Sequence, residues 1–240
     1  SGRAATGDAG TERQGPATDH RRSVKEPACA VDAVKERVQD YAEIMEAGVL
    51  FSGGKDSALA AILLARDYEV ELNTCVFDSN RDVPAVRAAA AALDLPFQRR
   101  VLGNDLLEEA VDLLLSCGYP NDAINMVHLA AVEALSREYG VVGDGTRRED
   151  RVPRLERSAV QHLETTTGCS YVRPLLGYGK PEVERLAGRL LVVQYGETGS
   201  IGNGDYEQEI RSAVRARGID PASLFPSRHL QSLVVGKRET

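Results

Sequence analysis

The spacing of apolar residues along the chain alternates between stretches typical of strands and stretches typical of helices. This pattern predicts strands that alternate with helices. A short apolar run at Val49–Phe51 predicts a buried strand, which leads through Ser52–Ser57 into a largely apolar helix beginning at Ala58. The alternation continues with predicted strands at 70–77, 97–102 and 141–142 and helices at 83–93, 105–115 and 123–139. Strands alternating with helices are typical of parallel βαβ units, so we predict an α/β protein with a doubly wound, mainly parallel sheet.

The N-terminal segment differs from this core. Residues 1–28 carry Val24 as their only large aliphatic side chain. A segment this polar cannot bury enough apolar surface to offset its ordering entropy. We therefore expect 1–28 to be a disordered tail or a linker to another domain. Apolar residues spaced three and four apart from Val31 to Met45 predict a helix that Gly48 ends.

The C-terminal part has weaker periodicity. It predicts helices at about 154–166, 181–188 and 205–217 and short strands at 171–172, 190–193 and 233–235. We expect residues 29–240 to form one domain, with a core at about 48–195 and a C-terminal helical extension at 196–240.

Composition excludes several classes of protein. Hydrophobic residues make up 42% and charged residues 27% of the 240 positions, which is typical of a globular chain and not of a coiled coil. No apolar run is long enough to span a membrane. The first residues do not resemble an apolar leader, so we expect no secretion signal. The net charge of −7 argues against a globally basic nucleic-acid-binding protein but permits a local basic patch. Four cysteines without a C-x-x-C pair argue against a zinc ribbon and favour reduced thiols in the cytoplasm.

The loop Ser52–Ser57 carries the strongest chemical signal. Its adjacent glycines allow a tight turn that brings backbone N–H groups close to a ligand, and the helix that follows points its positive end at the same place. This arrangement predicts a phosphate cradle. The spacing fits neither the Walker A loop, G-x-x-x-x-G-K-[ST], nor the dinucleotide fingerprint, G-x-G-x-x-G.

At this loop the sequence resembles a known family. Phe51–Ser57 looks like the PP-loop, S-G-G-x-D-[ST], of the N-type ATP pyrophosphatases, which include asparagine, NAD and GMP synthetases and tRNA thiolation enzymes. The resemblance implies the adenine nucleotide alpha hydrolase-like fold, with five strands in the order 3-2-1-4-5. It also implies cleavage of ATP to AMP and pyrophosphate, with AMP transferred to a substrate oxygen.

Two further segments agree with the resemblance. Asp144–Asp150 is similar to the D-G-T-N-x-x-D stretch of several members, although Arg147 stands where Asn is usual. Arg173–Leu176 followed by Lys180–Val183 resembles the R-P-L…K-x-E-V block, whose lysine reaches phosphate. In the strand order 3-2-1-4-5, the loops after the first and fourth strands face one crevice.

The resemblance implies a role for each matched position. Lys55, Asp56, Lys180 and Arg173 are the expected catalytic residues, and Arg147, Arg148 and Asp150 the expected substrate contacts. Asp56 and Asp144 are the expected ligands of Mg²⁺ bound with the ATP phosphates. The expected ATP-binding residues are Ser52, Gly53, Gly54, Lys55, Asp56, Ser57, Phe77, Asp78, Gly143, Asp144, Gly145 and Thr146.

The acceptor and the second nucleophile stay open at this stage. The acceptor is a small molecule or tRNA, and a nitrogen or sulfur donor, supplied by a partner, completes an amide-forming or thiolation reaction. The alternative class is a nucleotide-binding regulatory module that does not cleave ATP. A homodimer formed through exposed helices is a further expectation.

Three weaker signals complete the sequence picture. The stretch Arg147–Arg157 is either a solvated helix start with ion pairs or a landing site for an anionic substrate. The Gly-rich stretch 195–206 is either a flexible connection, with Asp205 as a helix cap, or a lid. Cys169 lies in a polar segment and is the candidate sulfur carrier, whereas Cys75 and Cys117 are expected in the core.

Overall fold

A computed structural model describes residues 45–197, 200–225 and 230–238. The predicted tail at 1–28 and the predicted helix residues before Met45 lie outside these ranges. Met45 itself begins a strand, so the prediction that the helix continues to Gly48 is wrong. Burial explains the difference, because all four residues 47–50 are buried in the sheet. A strand of a parallel sheet is buried on both faces, whereas the predicted helix would bury only one.

The described elements follow the predicted alternation. The strands are β1 (Met45–Leu50), β2 (Tyr68–Val76), β3 (Phe97–Val101), β4 (Val141–Gly143), β5 (Ser170–Val172), β6 (Leu191–Glu197) and β7 (Leu230–Lys237). The helices are α1 (Lys55–Leu64), α2 (Pro84–Ala91), α3 (Asn104–Cys117), α4 (Asn121–Leu135), α5 (Arg157–Thr167), α6 (Lys180–Leu190) and α7 (Tyr206–Ala216), with a 3₁₀ turn at Pro221–Ser223.

The main sheet has five parallel strands in the order β3-β2-β1-β4-β5. This confirms the doubly wound α/β fold and the strand order that the resemblance implied. The switch in strand order lies between β1 and β4, where ligands bind in such sheets. The central strand β1 is buried through Ala47 and Val49, both with no exposed area.

Helix α1 is enclosed between the sheet and α6. Leu59 and Ala60 of α1 pack with Leu175 and Val183, while Ala58 and Ala61 join the cluster on the sheet. The small alanine side chains let both faces of α1 approach their neighbours closely. The helix that carries the loop is therefore held firmly on two sides.

The C-terminal extension is not only helical. Strands β6 and β7 form a separate antiparallel pair, and β7 contacts the loop before α1: the N–H of Val234 donates to the carbonyl of Gly53 at 2.8 Å. Helix α7 closes the end of β2, where the buried Glu209 carboxylate accepts from the Phe77 N–H. The extension thus reaches the sheet edge that carries the predicted site. No helix in the described ranges is long and apolar enough to cross a membrane.

Candidate active site

The loop between β1 and α1 has the geometry of an anion cradle. Gly53 has φ of +81°, a conformation that favours glycine, and Gly54 is the extended N-cap of α1. The first-turn N–H groups of a helix have no acceptor within the helix. The unpaired N–H groups of α1 and the positive end of its dipole therefore both lie at the loop.

The two serines of the loop brace its shape. The Ser57 hydroxyl accepts from the Ser52 N–H at 3.3 Å and donates to the Gly54 carbonyl at 3.1 Å. The Ser52 hydroxyl accepts from the Gly54 N–H at 3.3 Å. These bonds hold the turn in place before any ligand arrives, which lowers the cost of ordering it on binding.

A chain of alternating charges begins at the buried Lys55, which is 7% exposed. Its Nζ lies 2.9 Å from Asp56 Oδ1 and 3.4 Å from Glu184 Oε1 of α6. Arg147 Nε lies 3.6 Å from Asp56 Oδ2, and Arg147 binds Asp150 at 2.6 Å. The cations at the loop are therefore paired with carboxylates.

Asp144 lies at the end of β4 in a buried hydrogen-bond network. Its Oδ2 is 2.8 Å from His128 Nε2 and accepts from the Tyr171 hydroxyl, and its Oδ1 accepts from the Thr146 N–H at 2.8 Å. Burial acts to raise the pKa of Asp144, but the bonds to His128, Tyr171 and Thr146 outweigh it and lower the pKa below the ordinary value. The network fixes the loop that follows β4.

Gly145 packs directly on the backbone of the first turn of α1. A Cβ at this position would lie 2.5 Å from Ser57 N and 2.7 Å from the carbonyl carbon of Asp56, closer than real contacts allow. Only glycine lets the loop after β4 approach the loop after β1 this closely. The network at Asp144 and this contact together join the two loops.

We expect Gly145→Ala to destabilise the protein by about 1–3 kcal/mol, because backbone atoms must shift to admit the methyl group. The matched control is Gly188→Ala in α6, where a Cβ meets nothing within 4 Å and alanine should stabilise the helix by about 0.5–1 kcal/mol. Urea unfolding of both variants measures the two changes. Equal effects at the two positions would contradict the close packing at Gly145.

The C-terminal strand β7 supplies a residue to the loop. The Ser232 hydroxyl accepts from the Lys55 N–H at 3.1 Å, across 177 positions of sequence. Nearby, the Gly204 N–H donates to the Ser52 carbonyl at 2.8 Å, and Gln231 binds Asp205 at 2.6 Å. The stretch 201–205 and β7 are thus part of the wall around the loop.

Two cavities open at this edge of the sheet. The inner cavity, about 270 Å³, lies between the ends of β1, β2 and β4 and the residues Gly204–Glu207, and it includes Phe51, Ile124 and Tyr206. The outer cavity, about 500 Å³, is lined by the loop together with residues of α6, β6 and β7. Both are lined by Ser52, Asp56, Ser57, Asp150, Val152 and Asp205.

The comparisons with known proteins identify the family. Residues 45–236 match DUF7411, a family of unknown function. The chain belongs to DUF7411. An uncharacterized protein of Methanocaldococcus jannaschii, MJ0690, is 37% identical over 201 residues, which is 82% of this chain and 98% of that protein.

Solved structures similar to this DUF7411 chain include one at high similarity. It is described as a predicted subunit of tRNA methyltransferase from Methanocaldococcus jannaschii, with a TM-score of 0.75, 36% identity, and coverage of 82% of this chain and 100% of that one. NMN synthetase from Francisella tularensis has a TM-score of 0.41 and 17% identity, with 66% of each chain covered. NH₃-dependent NAD synthetase from Campylobacter jejuni has a TM-score of 0.42 and 18% identity, with 65% of this chain and 68% of that one covered.

The DUF7411 fold brings most predicted site residues to one place. The loop Ser52–Ser57 meets Asp144–Asp150 at the inner and outer cavities, and Lys180 of α6 lines the outer one with Lys55. The link between the two distant blocks is direct, because the Lys180 N–H donates to Glu149 Oε2 at 2.7 Å. That bond also lowers the pKa of Glu149.

Six predicted positions do not line either of the two cavities: Gly53, Phe77, Asp78, Gly143, Arg148 and Arg173. Phe77 is buried among the helices α3, α4 and α7, and the exposed Asp78 accepts from the Asn80 N–H in a local turn. Gly143 packs on Leu64 of α1, where a Cβ would be 2.4 Å from it. Arg173 lies 5.2 Å from the ring of Tyr171, beside a third cleft. At the end of β2 the inner cavity is lined instead by Asn73 and Cys75.

The carboxylates at the site suit Mg²⁺ only if phosphate groups supply further ligands. In the part of the chain that the structure describes, no cluster of three or more His, Cys, Asp and Glu side chains could hold a metal ion. Mg²⁺ commonly binds through one or two carboxylates together with phosphates and water. Asp56, which is partly exposed beside the cradle, fits this role, whereas both Asp144 oxygens already accept hydrogen bonds.

Sequence reasoning missed several residues of the site. His128 lies within α4 and has no motif around it, so only the packing of α4 beneath β4 reveals its bond to Asp144. Glu184 and Ser232 reach Lys55 from α6 and β7. Asp205 caps α7, as one of the two interpretations of the Gly-rich stretch expected, since its carboxylate accepts from the Gln208 N–H.

The two buried cysteines of the described ranges, Cys169 and Cys75, are not poised for sulfur chemistry. Cys169, the candidate sulfur carrier, is 2% exposed, and burial raises the pKa of its thiol, which argues against that role. Burial also raises the pKa of Cys75 to about 12, although Cys75 lines the inner cavity. Cys169 packs in the core because strand β5 follows it directly.

Proposed function

We propose that this chain is an ATP pyrophosphatase of the PP-loop type, which cleaves ATP to AMP and pyrophosphate and adenylates an oxygen of an acceptor. The observation that carries the proposal is the Ser52–Ser57 loop. It places a glycine turn, the positive end of α1 and the buried Lys55 at the β1–β4 switch point of the sheet.

The two cavities would bind different parts of ATP. The inner cavity offers apolar walls from Phe51, Ile124 and Tyr206, which suit an adenosine group. The outer cavity contains Lys55, Arg147 and Lys180, which suit the departing pyrophosphate. The loop shared by both would hold the α- and β-phosphates.

The reaction requires charge stabilisation at the leaving group. The acceptor oxygen attacks the α-phosphorus, the bond from that phosphorus to the bridging oxygen breaks, and pyrophosphate leaves with the electron pair. Lys55 and Lys180 oppose the negative charge that develops on pyrophosphate. Mg²⁺, held by Asp56 and the phosphates, would neutralise part of the same charge. Because Arg173 lies beside the third cleft, we assign Lys180 rather than Arg173 to the phosphates.

The second step consumes the adenylate. A nitrogen or sulfur nucleophile displaces AMP, which makes the enzyme an amide-forming synthetase or a thiolation enzyme. The burial of Cys169 favours a nucleophile from outside the chain, such as ammonia, sulfide or a partner protein.

As a candidate for the acceptor, we propose tRNA. The similar Methanocaldococcus jannaschii structure is described as a predicted subunit of tRNA methyltransferase. The arginines at 147–157 supply positive charge next to the cavities, as RNA phosphates require. A small-molecule acceptor remains the alternative.

The test uses ATP labelled at the α-phosphate, with Mg²⁺, purified protein and cell extract divided into RNA and small-molecule fractions. Labelled AMP supports the proposal, and the fraction that stimulates its release identifies the acceptor class. Labelled ADP, or tight ATP binding without cleavage in either fraction, contradicts it and favours a nucleotide-binding regulatory module.

A further inference from the structure

A third cavity, here called the arginine cleft, adjoins the candidate active site. It is about 920 Å³ and lies beside the segment 146–157, α5 and the end of α4. Six arginines and four carboxylates line it, so its wall has a formal charge of +2 on a chain whose net charge is −7. The arginines are Arg147, Arg148, Arg151, Arg154, Arg157 and Arg173.

Most arginines of the cleft form no ion pair with a described residue. Arg147 is paired with Asp150, and Arg148 with Glu149. No described residue forms an ion pair with the four other arginines. Of the lining carboxylates, Asp150 is occupied by Arg147, and Glu164 accepts from the Tyr171 N–H at 3.0 Å. An acidic protein that keeps four unpaired arginines in one cleft has a surface suited to an anion.

Helix polarity supports the same conclusion. Arg157 is the first residue of α5, its N-cap Glu156 makes no side-chain capping bond, and the first turn contains no acidic residue. Cations at a helix N-terminus are unfavourable because the helix dipole is positive there. Arg154 lies just before this turn, and its N–H is anchored to Asn125 Oδ1 at 2.7 Å. An anion in the cleft would relieve this repulsion.

The size and rim of the cleft favour a polyanion over a single phosphate. Tyr119 is 48% exposed and Leu176 is 41% exposed at the lining, and an exposed tyrosine offers a face for a stacked base. The cleft shares Arg147 and Asp150 with the outer cavity, and Thr146 and Asp150 with the inner one. A bound strand could therefore continue from the cleft toward the ATP site.

We propose that the arginine cleft binds the phosphodiester backbone of RNA and guides an RNA acceptor to the adenylation site. The cleft recognises phosphates through Arg151, Arg154 and Arg157, with Tyr119 stacking on a base. Its RNA-binding role stands on the arginines alone, whereas delivery of an acceptor rests on the proposed function.

The experiment measures binding of a fluorescein-labelled 20-nucleotide single-stranded RNA to the full chain at several salt concentrations. The test variant is R151Q/R154Q/R157Q, which removes three unpaired arginines outside the ATP cavities. The matched control is R66Q/R137Q/R215Q, which removes the same charge from exposed positions elsewhere. Polyglutamate of equal charge competes in a parallel titration, and binding of ATP is measured for every variant.

We expect the cleft variant to bind RNA at least about tenfold more weakly and its salt slope to fall by about 2, since three phosphate contacts are lost. The control variant should keep most of the affinity, and both should bind ATP as the parent does. Equal losses in the two variants, or no measurable RNA binding by the parent, overturn the proposal. Polyglutamate that competes as well as unlabelled RNA assigns the cleft to an acidic peptide and overturns it too. If the parent protein does not bind ATP, that result counts against the proposed function. The conclusion on RNA binding by the cleft is separate and would not change.

Discussion

Lys55→Met is expected to lower the rate of AMP formation by a factor of at least about 100. The ammonium group is 2.9 Å from Asp56 and lines the outer cavity, where the leaving pyrophosphate would develop charge. Removal of one positioned donor from such a site commonly costs about 100- to 1,000-fold in rate. Methionine preserves the unbranched stem, which is buried beside the loop. Single-turnover conversion of α-labelled ATP measures the effect apart from product release.

The control for this variant is Lys237→Met, which removes the same charge from an exposed position at the end of β7. Asp56 keeps its contact with Arg147 when Lys55 is absent, so we expect the Lys55 variant to fold. Near-normal turnover by a folded Lys55 variant would show that the loop does not act on the leaving group. A fall of the same size in the rate of the Lys237 variant would show that the rate depends on the net charge of the protein and not on the position of Lys55.

Asp144→Ala is expected to destabilise the protein by about 3 kcal/mol or more. The change leaves the buried groups of His128, Tyr171 and Thr146 without their shared acceptor, and each such loss costs about 1–3 kcal/mol. The control is Asp67→Ala, which changes an exposed carboxylate with no ion pair to a described residue. Urea unfolding at neutral pH compares the two. A cost below about 1 kcal/mol for Asp144→Ala would show that the network does not hold the loop after β4.

The same network predicts an acid dependence of stability. The pKa of Asp144 is lower in the folded protein than its ordinary value, so its ionised form stabilises the fold above that ordinary value. This stabilisation is lost as the pH falls from there through the lower pKa of the folded state. Asp144→Asn, which cannot ionise, should therefore have a flatter dependence of unfolding free energy on pH in this acidic range. Parallel curves for the parent and Asp144→Asn would contradict the low pKa.

The features that the sequence predicted correctly are local or follow from topology. The strand, loop and helix around Ser52–Ser57 depend on neighbouring residues, and the order of the five strands follows from the resemblance at that loop. The loops after β1 and β4 meet because parallel strands carry their carboxyl ends to one edge. These features need no knowledge of which side chains touch.

The features that the sequence did not predict depend on contacts between distant segments. Ser232 reaches Lys55 only because β7 folds back across 177 positions, and His128 reaches Asp144 only because α4 packs beneath β4. Phe77 was expected to bind ATP but packs in the core, because α7 covers the end of β2. Cys169 was the candidate sulfur carrier because its neighbours in sequence are polar, yet it packs in the core just before β5.

The position of the broken bond in ATP tests the central claim most directly. The measurement uses β,γ-methylene-ATP, whose β–γ link cannot be hydrolysed, with Mg²⁺ and the extract fraction that stimulates the reaction. An enzyme that breaks the α–β link converts this analogue to AMP and methylene diphosphonate, and this is the result we predict. An analogue that stays intact while ATP itself gives ADP and phosphate would contradict the account.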